Sequence, residues 1–326
     1  MEVQAEMAKT YGVYGFCYYH YWFAKGKKLL EQPLERMLKN PNIDIPFCLS
    51  WDNHEWSKKF WDAGKGSNEI IASQDFSDKE NLDRHDYLCE FFADSRYMKE
   101  DGKPIFIVYN PNIIPRVNER FQYVRERVKA NGFPGILIYA QHTAWFDFIS
   151  GKCQDFGADA YIQYEPNFGR MSYSVSHSSF LQKLMFKLRE TLISLLSYKF
   201  SLVRFAKKIK SNVESLKTGC SIDDYDAIWE EILSSHVEDK RIIAGAFVDF
   251  DNTPRKKKGS SVMSGATPGK FKIYMRRLIQ KVRQEYSSPY IFINAWNEWG
   301  EGAYLEPDER YGYAYLEALR DALTLQ

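Results

Sequence analysis

The sequence predicts an α/β protein built as a (β/α)8 barrel of the TIM type. Three observations carry that prediction. Short, continuously apolar runs recur with helical patterns between them, as strands covered on both faces require. Almost every run ends in polar or aromatic residues, and the C-terminal strand ends of a barrel form its functional face. No G-x-G-x-x-G or Walker-type loop marks a single switch point, as a doubly wound nucleotide-binding sheet would have.

The elements follow in order. "VQAEMAKTYG" reads as a helix closed by Gly12. The strand runs are Gly12 to Tyr19, Ile45 to Trp51, Pro104 to Asn110, Gly135 to Gln141, Ala160 to Glu165, Ile242 to Phe250 and Tyr290 to Trp296. Val117 to Ala130 and Phe271 to Glu285 have helical periodicity between runs. The runs number seven, one short of eight, and the expectation is a barrel lacking its first strand, through truncation or because the barrel is left open. All of residues 1–326 read as one domain, with a helical basic insertion at 179–217. Its centre, Phe180 to Lys210, has Leu, Phe and Ile on one side, Lys and Arg on the other, and Glu190 as its single acid. Such a segment packs on the barrel as a lid, binds a partner or lies on an anionic membrane surface.

Composition excludes some functions. Lys and Arg number 44 against 43 Asp and Glu, which leaves no general footprint for nucleic acid. The cysteines, Cys17, Cys48, Cys89, Cys153 and Cys220, show no C-x-x-C and read as reduced thiols. No export signal or membrane span is visible, so the expected location is cytoplasmic, with peripheral contact at the inner membrane as one use of the insertion.

Aromatic residues make up 16% of the chain and gather in "YYHYWF", "WDNHEW" and "NAWNEW", interleaved with Asn, His, Asp and Glu. Flat rings beside hydrogen-bonding groups suit a sugar, which has an apolar face and many hydroxyls. Tyr19, His20, Tyr21, Trp22, Trp51, Asn53, Trp56, Trp296, Asn297 and Trp299 are therefore candidate sugar contacts. Past the last run stand Glu298 and Glu301, three residues apart. Working on a glycosidic bond takes one proton donor for the bridging oxygen and one base or nucleophile, and two carboxylates supply both. The bland alternative is a capping or salt-bridging Glu298 beside packing tryptophans. Asp249 and Asp251 form a D-x-D, which in sugar-nucleotide enzymes holds a divalent metal against a diphosphate. "RKKK", Arg255 to Lys258, reads as a solvated loop.

"INAWNEWGEGAYLEPDERYGYAYLEAL", "YGVYGFCYYHYWFAKGKKLLEQPLERML" and "FDNTPR" together resemble the WbsX-type family of bacterial surface-polysaccharide proteins, whose domain is similar to glycoside hydrolase family 99. The resemblance runs from about Glu2 to about Leu323. It implies a (β/α)8 barrel acting on oligosaccharide or polysaccharide in O-antigen or capsule metabolism, with no cofactor and no resident metal. It implies that Glu298 removes the proton of the sugar 2-OH, making that oxygen the internal nucleophile, and that Glu301 serves as acid and base. The outcome would be retention through a 1,2-anhydro sugar. Trp296 and Trp299 would wall the sugar. Glu165 corresponds to a family Glu, and Asp251, Asn252 and Thr253 match a recurrent triplet in which Asp251 reads as a hydrogen bonder at the barrel mouth. The chain departs from the pattern in two ways: the family begins with a further strand and a loop carrying aromatic and polar residues, and where it reads approximately W-A-N-E-N-W, His54 replaces a Glu and Glu55 an Asn. The competing readings are a sugar-nucleotide-dependent transferase and a glycan-binding barrel without catalysis.

Overall fold

In the computed structural model, which describes residues 1–58, 69–142, 156–177, 219–256 and 259–324, the apolar runs become seven parallel strands. They are β1 (Phe16–Phe23), β2 (Phe47–Trp51), β3 (Lys103–Val108), β4 (Leu137–His142), β5 (Ala160–Gln163), β6 (Ile242–Phe247) and β7 (Ile291–Asn294). Each pairs in parallel with the next in chain order, from β1 through to β7. Strictly sequential parallel pairing is the winding of a barrel wall, not of a doubly wound sheet, whose order reverses at a switch point. Lys27–Leu29 and Lys99–Glu100 add short antiparallel edges to β1 and β3.

Helices fill the intervals. α1 (Glu2–Thr10) precedes β1, α2 (Gln32–Lys39) and α3 (Asp78–Ala93) flank β2, and α4 (Val117–Ala130) joins β3 to β4. α5 (Asn167–Ser176) and α6 (Tyr225–Ser234) follow β5, α7 (Pro268–Glu285) follows β6, and α8 (Ala314–Thr324) follows β7. Gly12 closes α1 as expected, standing just past the C-cap Tyr11 with a left-handed φ of +85°. Gly12 N–H donates to Lys9 O at 3.1 Å and Val13 N–H to Ala8 O at 2.9 Å, the paired bonds of a Schellman end with Gly12 as its glycine. β1 starts at Phe16 and runs on to Phe23, past the Tyr19 at which the apolar run ends, so it carries His20 inside the strand instead of at its tip.

Two apolar clusters hold the helices to the sheet. One joins β2, β3 and β4 to α3 and α4 through Phe47, Leu49, Phe91, Phe92, Phe106 and Val128. The other joins β6 to α6, α7 and α8 through Trp229, Phe247, Phe271, Leu278 and Leu316. Trp296 packs against both. Among the described residues no strand pairs β7 with β1. Side chains bridge that seam: Phe16 lies 5.1 Å from Trp296 and Tyr14 6.2 Å from Tyr290, ring centre to ring centre. The insertion at 179–217 lies outside the described residues. No helix among the described residues is long and apolar enough to cross a membrane.

Candidate active site

Beyond β7 the chain forms a small hairpin, Asn297–Glu298 against Ala303–Tyr304, closed by one 3₁₀ turn over Trp299–Glu301. Residues i and i+3 eclipse in a 3₁₀ turn, so Glu298, which caps it, and Glu301, which ends it, project together. Both carboxylates reach Arg255: its Nη1 donates to Glu298 Oε1 at 3.2 Å and to Glu301 Oε1 at 3.1 Å. The two Oε1 atoms therefore lie no more than about 6.3 Å apart, the sum of those distances.

Arg255 arrives on the loop after β6. Asp251 Oδ1 accepts the Thr253 N–H (2.9 Å) and hydroxyl (2.6 Å), and Asn252 Oδ1 accepts the Ser261 N–H (2.8 Å). Asp251 N–H donates to Glu301 O at 2.6 Å, tying this loop to the hairpin. The Arg255 stem lies on Gly300, where a Cβ would stand 3.1 Å from Arg255 Cδ and 3.4 Å from Glu298 Oε1. The sequence reading of Arg255 as solvated is thus corrected, because a residue with no side chain between the glutamates leaves the space that its stem occupies. Gly300 was the one signal from which this could have been read. Burial raises the Glu301 carboxyl above its ordinary value, Arg255 opposes that rise and the Glu298 charge adds to it.

The rings around this pair come from the alternation of β1. Odd residues face the inside of the curled sheet, so Tyr19 and Tyr21 point toward its mouth. Tyr19 lies 5.9 Å from Tyr109 beyond β3, and Tyr109 lies 5.6 Å from Tyr164 beyond β5. Tyr164 hydrogen-bonds with both Tyr19 and Tyr109. Burial pushes the Tyr164 phenol up to about 12 and Tyr19 and Tyr109 well above their ordinary value, so all three are neutral donors at physiological pH. The charges of Glu298 and Glu301 act on Tyr164, those of Asp52 and Glu301 on Tyr109, and those of Asp52 and Glu298 on Tyr21.

Several candidate sugar contacts lie elsewhere. His20 and Trp22 are even residues of β1 and face the helix layer, 5.7 and 5.5 Å from the Tyr87 ring of α3. Trp51 is buried on that same face beneath Arg84, whose guanidinium is 3.8 Å from the indole centre. These three rings are core, a correction the period-two alternation explains. Asn53 is fully buried and exchanges two hydrogen bonds with the Asn110 backbone, at 2.7 and 2.9 Å, and Asn252 is buried as a loop staple. Trp56 backs Tyr21 at 5.0 Å and Phe23 at 5.1 Å. Trp296 fills the seam, whereas Trp299 is 48% exposed and stacks on Tyr304 at 3.9 Å. Both indole N–H groups donate to Glu306, at 3.0 and 2.7 Å, a partner the sequence did not flag. Asn297 is exposed on the hairpin.

Glu165 lies between α5 and Gly245 of β6, 1% exposed, with Oε2 accepting the Gly169 N–H at 2.8 Å and Oε1 buried without a partner. Burial raises its carboxyl to about 8. Asp249 is raised to about 6 by burial, and its charge acts on Tyr225, Tyr304 and Tyr315. Among the described residues no group of three or more His, Cys, Asp or Glu is placed to hold a metal ion. Asp251 spends its Oδ1 on Thr253, so the D-x-D is a turn here.

The sequential parallel sheet with carboxylates, a guanidinium and phenols gathered at its C-terminal strand ends defines an α/β-barrel protein. The family described as Glycosyltransferase WbsX matches residues 1–319, and the chain belongs to that family. It is 30% identical over 331 residues to a protein named "Uncharacterized protein WxcX" from Xanthomonas campestris pv. campestris strain B100, and 30% identical over 327 residues to the protein of that name from strain ATCC 33913. Each match covers 99% of this chain and 41% of the relative, so the chain spans less than half the length of these curated relatives. Among solved structures it is similar to a "Glycoside hydrolase-like protein" with a TM-score of 0.51 at 13% identity, over 99% of this chain and 85% of that one. It is also similar to the GH99 endo-alpha-mannosidase from Bacteroides thetaiotaomicron, with a TM-score of 0.50 at 13% identity, over 99% of this chain and 76% of that one. Those likenesses establish the glycoside hydrolase family 99-like barrel fold.

Proposed function

We propose that this domain is a glycan-active enzyme of bacterial surface polysaccharide metabolism that cleaves or transfers an α-glycosidic bond with retention. The observation that carries the proposal is the shared contact of Glu298 and Glu301 with one nitrogen of Arg255. Inverting enzymes keep their carboxyls about 6.5–9.5 Å apart to admit a water, and retaining enzymes about 5–5.5 Å. An upper bound of 6.3 Å between the two Oε1 atoms keeps both carboxylates within reach of one sugar, as a base for its 2-OH and an acid for its bridging oxygen require.

In the first step Glu298 takes the proton of the sugar 2-OH as that oxygen forms a bond to C1. The C1 bond to the bridging oxygen breaks with its electron pair, and Glu301 protonates the departing oxygen. A 1,2-anhydro sugar results. In the second step Glu301 takes a proton from the incoming hydroxyl, which attacks C1, and O2 leaves C1 and recovers the proton from Glu298. Burial of Glu301 favours its protonated form and so suits it to be the donor. Arg255 offsets the repulsion when both carboxylates are ionised. The phenols of Tyr19, Tyr109 and Tyr164 supply neutral hydroxyls for the sugar, and Trp299 offers the exposed ring.

The direct test is mass spectrometry of the purified protein with α-linked oligosaccharides and polysaccharide fragments, beside its Glu301→Gln variant. Shortened or rearranged glycans that appear without nucleotide sugar and vanish in the variant are expected. Equal product from both proteins would reject the assignment. Product only with a nucleotide sugar would reassign the chain as a donor-dependent transferase.

A further inference from the structure

A second constellation stands at the mouth of the sheet, apart from the glutamate pair. Asp52, immediately after β2, accepts the His54 backbone N–H at 3.2 Å, and its Oδ1 lies 2.7 Å from His54 Nδ1. Since a carboxylate only accepts, this contact places the ring proton on Nδ1 and leaves the lone pair on Nε2. Asn110 Nδ2 stands 3.2 Å from that Nε2. Asn110 is itself fixed, because its backbone exchanges two hydrogen bonds with Asn53 and its Oδ1 accepts from the Asn112 N–H. Gln74 Nε2 donates to the His54 carbonyl at 3.2 Å, holding the loop from another side. The ring also meets the Tyr109 ring edge to face at 5.2 Å.

Nothing in the fold requires this precision. The His54 side chain is 41% exposed, and exposed ion pairs contribute about 0–1 kcal/mol at most. A half-exposed imidazole held at Nδ1 by its own loop and at Nε2 by the loop after β3 is a preorganised group facing solvent, which is what recognition of a polar ligand uses. It is also close to the reacting site. His54 to Tyr109 and Tyr109 to Tyr164 are ring separations of 5.2 and 5.6 Å, so the imidazole lies within about 11 Å, their sum, of the phenol that faces the glutamates. One disaccharide spans such an interval.

We propose that Asp52 and His54, with Asn110, form a specificity-determining subsite that binds a hydroxyl of the sugar adjoining the one held at Glu298 and Glu301. The hydroxyl donates to His54 Nε2 in place of the Asn110 amide, whose N–H groups, held beside the ring, donate to the sugar oxygen instead. Asp52 is a positioning residue that keeps the imidazole in the accepting tautomer. This assignment rests on the glycan reading of the site and adds to it the position at which neighbouring sugars are told apart.

The test measures binding of methyl α-mannoside, methyl α-glucoside and the α-linked disaccharides of each to the full chain, as wild type, His54→Phe and Asp52→Asn. Phenylalanine keeps the ring contact with Tyr109 and removes both nitrogens. Asparagine keeps the loop and removes the charge that fixes the tautomer. The expected result is a wild type that prefers at least one disaccharide over its monosaccharide, with that preference reduced roughly tenfold in both variants and monosaccharide affinity unchanged. In ¹⁵N spectra of the wild type, His54 Nε2 should move with the disaccharide and not with the monosaccharide. An unchanged preference in His54→Phe, or an immobile Nε2 signal during disaccharide binding, overturns the subsite while leaving the glycan reading intact. Absence of binding of every sugar to the wild type overturns the glycan reading and this subsite with it.

Discussion

Glu298 and Glu301 meet at a single atom, Arg255 Nη1, at 3.2 and 3.1 Å. A guanidinium between two carboxylates lets both exist as anions in a partly buried place where they would otherwise exclude each other's charge. It also sets the pH at which the acid of the pair gives up its proton.

Removing that guanidinium should move the pH profile in one direction. Burial and Glu298 raise the Glu301 carboxyl while Arg255, and more weakly Lys256, lower it, so Arg255→Ala removes the larger lowering influence. Glu301 must carry a proton to protonate the leaving oxygen, and activity therefore falls as pH rises through its pKa. The alkaline limb of the kcat/KM profile should shift to higher pH in Arg255→Ala, with a loss of about tenfold or more at the optimum because the carboxylates lose their common anchor. Superimposable limbs in the two proteins would mean that Arg255 does not govern the pair.

Gly300→Ala tests that geometry with one methyl group. The added Cβ would stand 3.1 Å from Arg255 Cδ, closer than ordinary contact, and 3.4 Å from Glu298 Oε1. A flexible arginine stem yields more readily than a hairpin backbone, so the guanidinium should be displaced while the fold is kept. Turnover should fall about tenfold with Tm nearly unchanged, measured by steady-state rates beside calorimetry. An unaltered rate would show that the Arg255 position over Gly300 is dispensable.

Glu306 carries a structural prediction. Its two oxygens accept from Trp296 Nε1 at 3.0 Å and Trp299 Nε1 at 2.7 Å, and Oε1 also accepts from Gln4 Nε2 at 2.6 Å. Glu306→Ala leaves the Trp299 N–H free to reach water and the Trp296 N–H in the packed seam without an acceptor. A cost of about 1–3 kcal/mol follows for an unsatisfied buried donor. It should appear as a lower Tm together with altered intrinsic tryptophan fluorescence. A variant with wild-type Tm would show that the indoles do not depend on this carboxylate.

The barrel wall was legible because its signal is local. Seven apolar runs became seven parallel strands, and Val117–Ala130 is a helix to the residue. The carboxylate pair was legible as a spacing of three, although only the 3₁₀ turn gives that spacing its geometry. Face assignments failed where a run was treated as one feature: Tyr19 and Tyr21 point inward, His20 and Trp22 outward, and an end at Phe23 instead of Tyr19 was needed to see His20 as a strand-interior residue. Arg255, Glu306 and the Asp52–His54 contact were hidden for another reason. Each is a partnership between separated residues or within an irregular loop, where no periodicity records which side chain will be nearby.

Glu165 gives a prediction about stability whose sign is fixed by burial. Its folded carboxyl is raised to about 8 by desolvation, against an ordinary value near 4.5, with the Gly169 N–H opposing the rise. The folded protein therefore holds a proton that the unfolded chain has already lost between those two values, and stability falls as pH rises. The contribution is fully present below about 4.5 and is lost as pH climbs toward about 8. Glu165→Gln keeps an acceptor for the Gly169 N–H and cannot ionise, so it removes this slope. The variant should match the wild type near the acid end of the window and exceed it by up to a few kcal/mol near pH 8, each pK unit being worth about 1.4 kcal/mol. Asp249, raised to about 6, titrates in both proteins and cancels from the difference. Denaturant unfolding of the two proteins across that range is the measurement, and parallel curves would mean that Glu165 is ionised in the folded state.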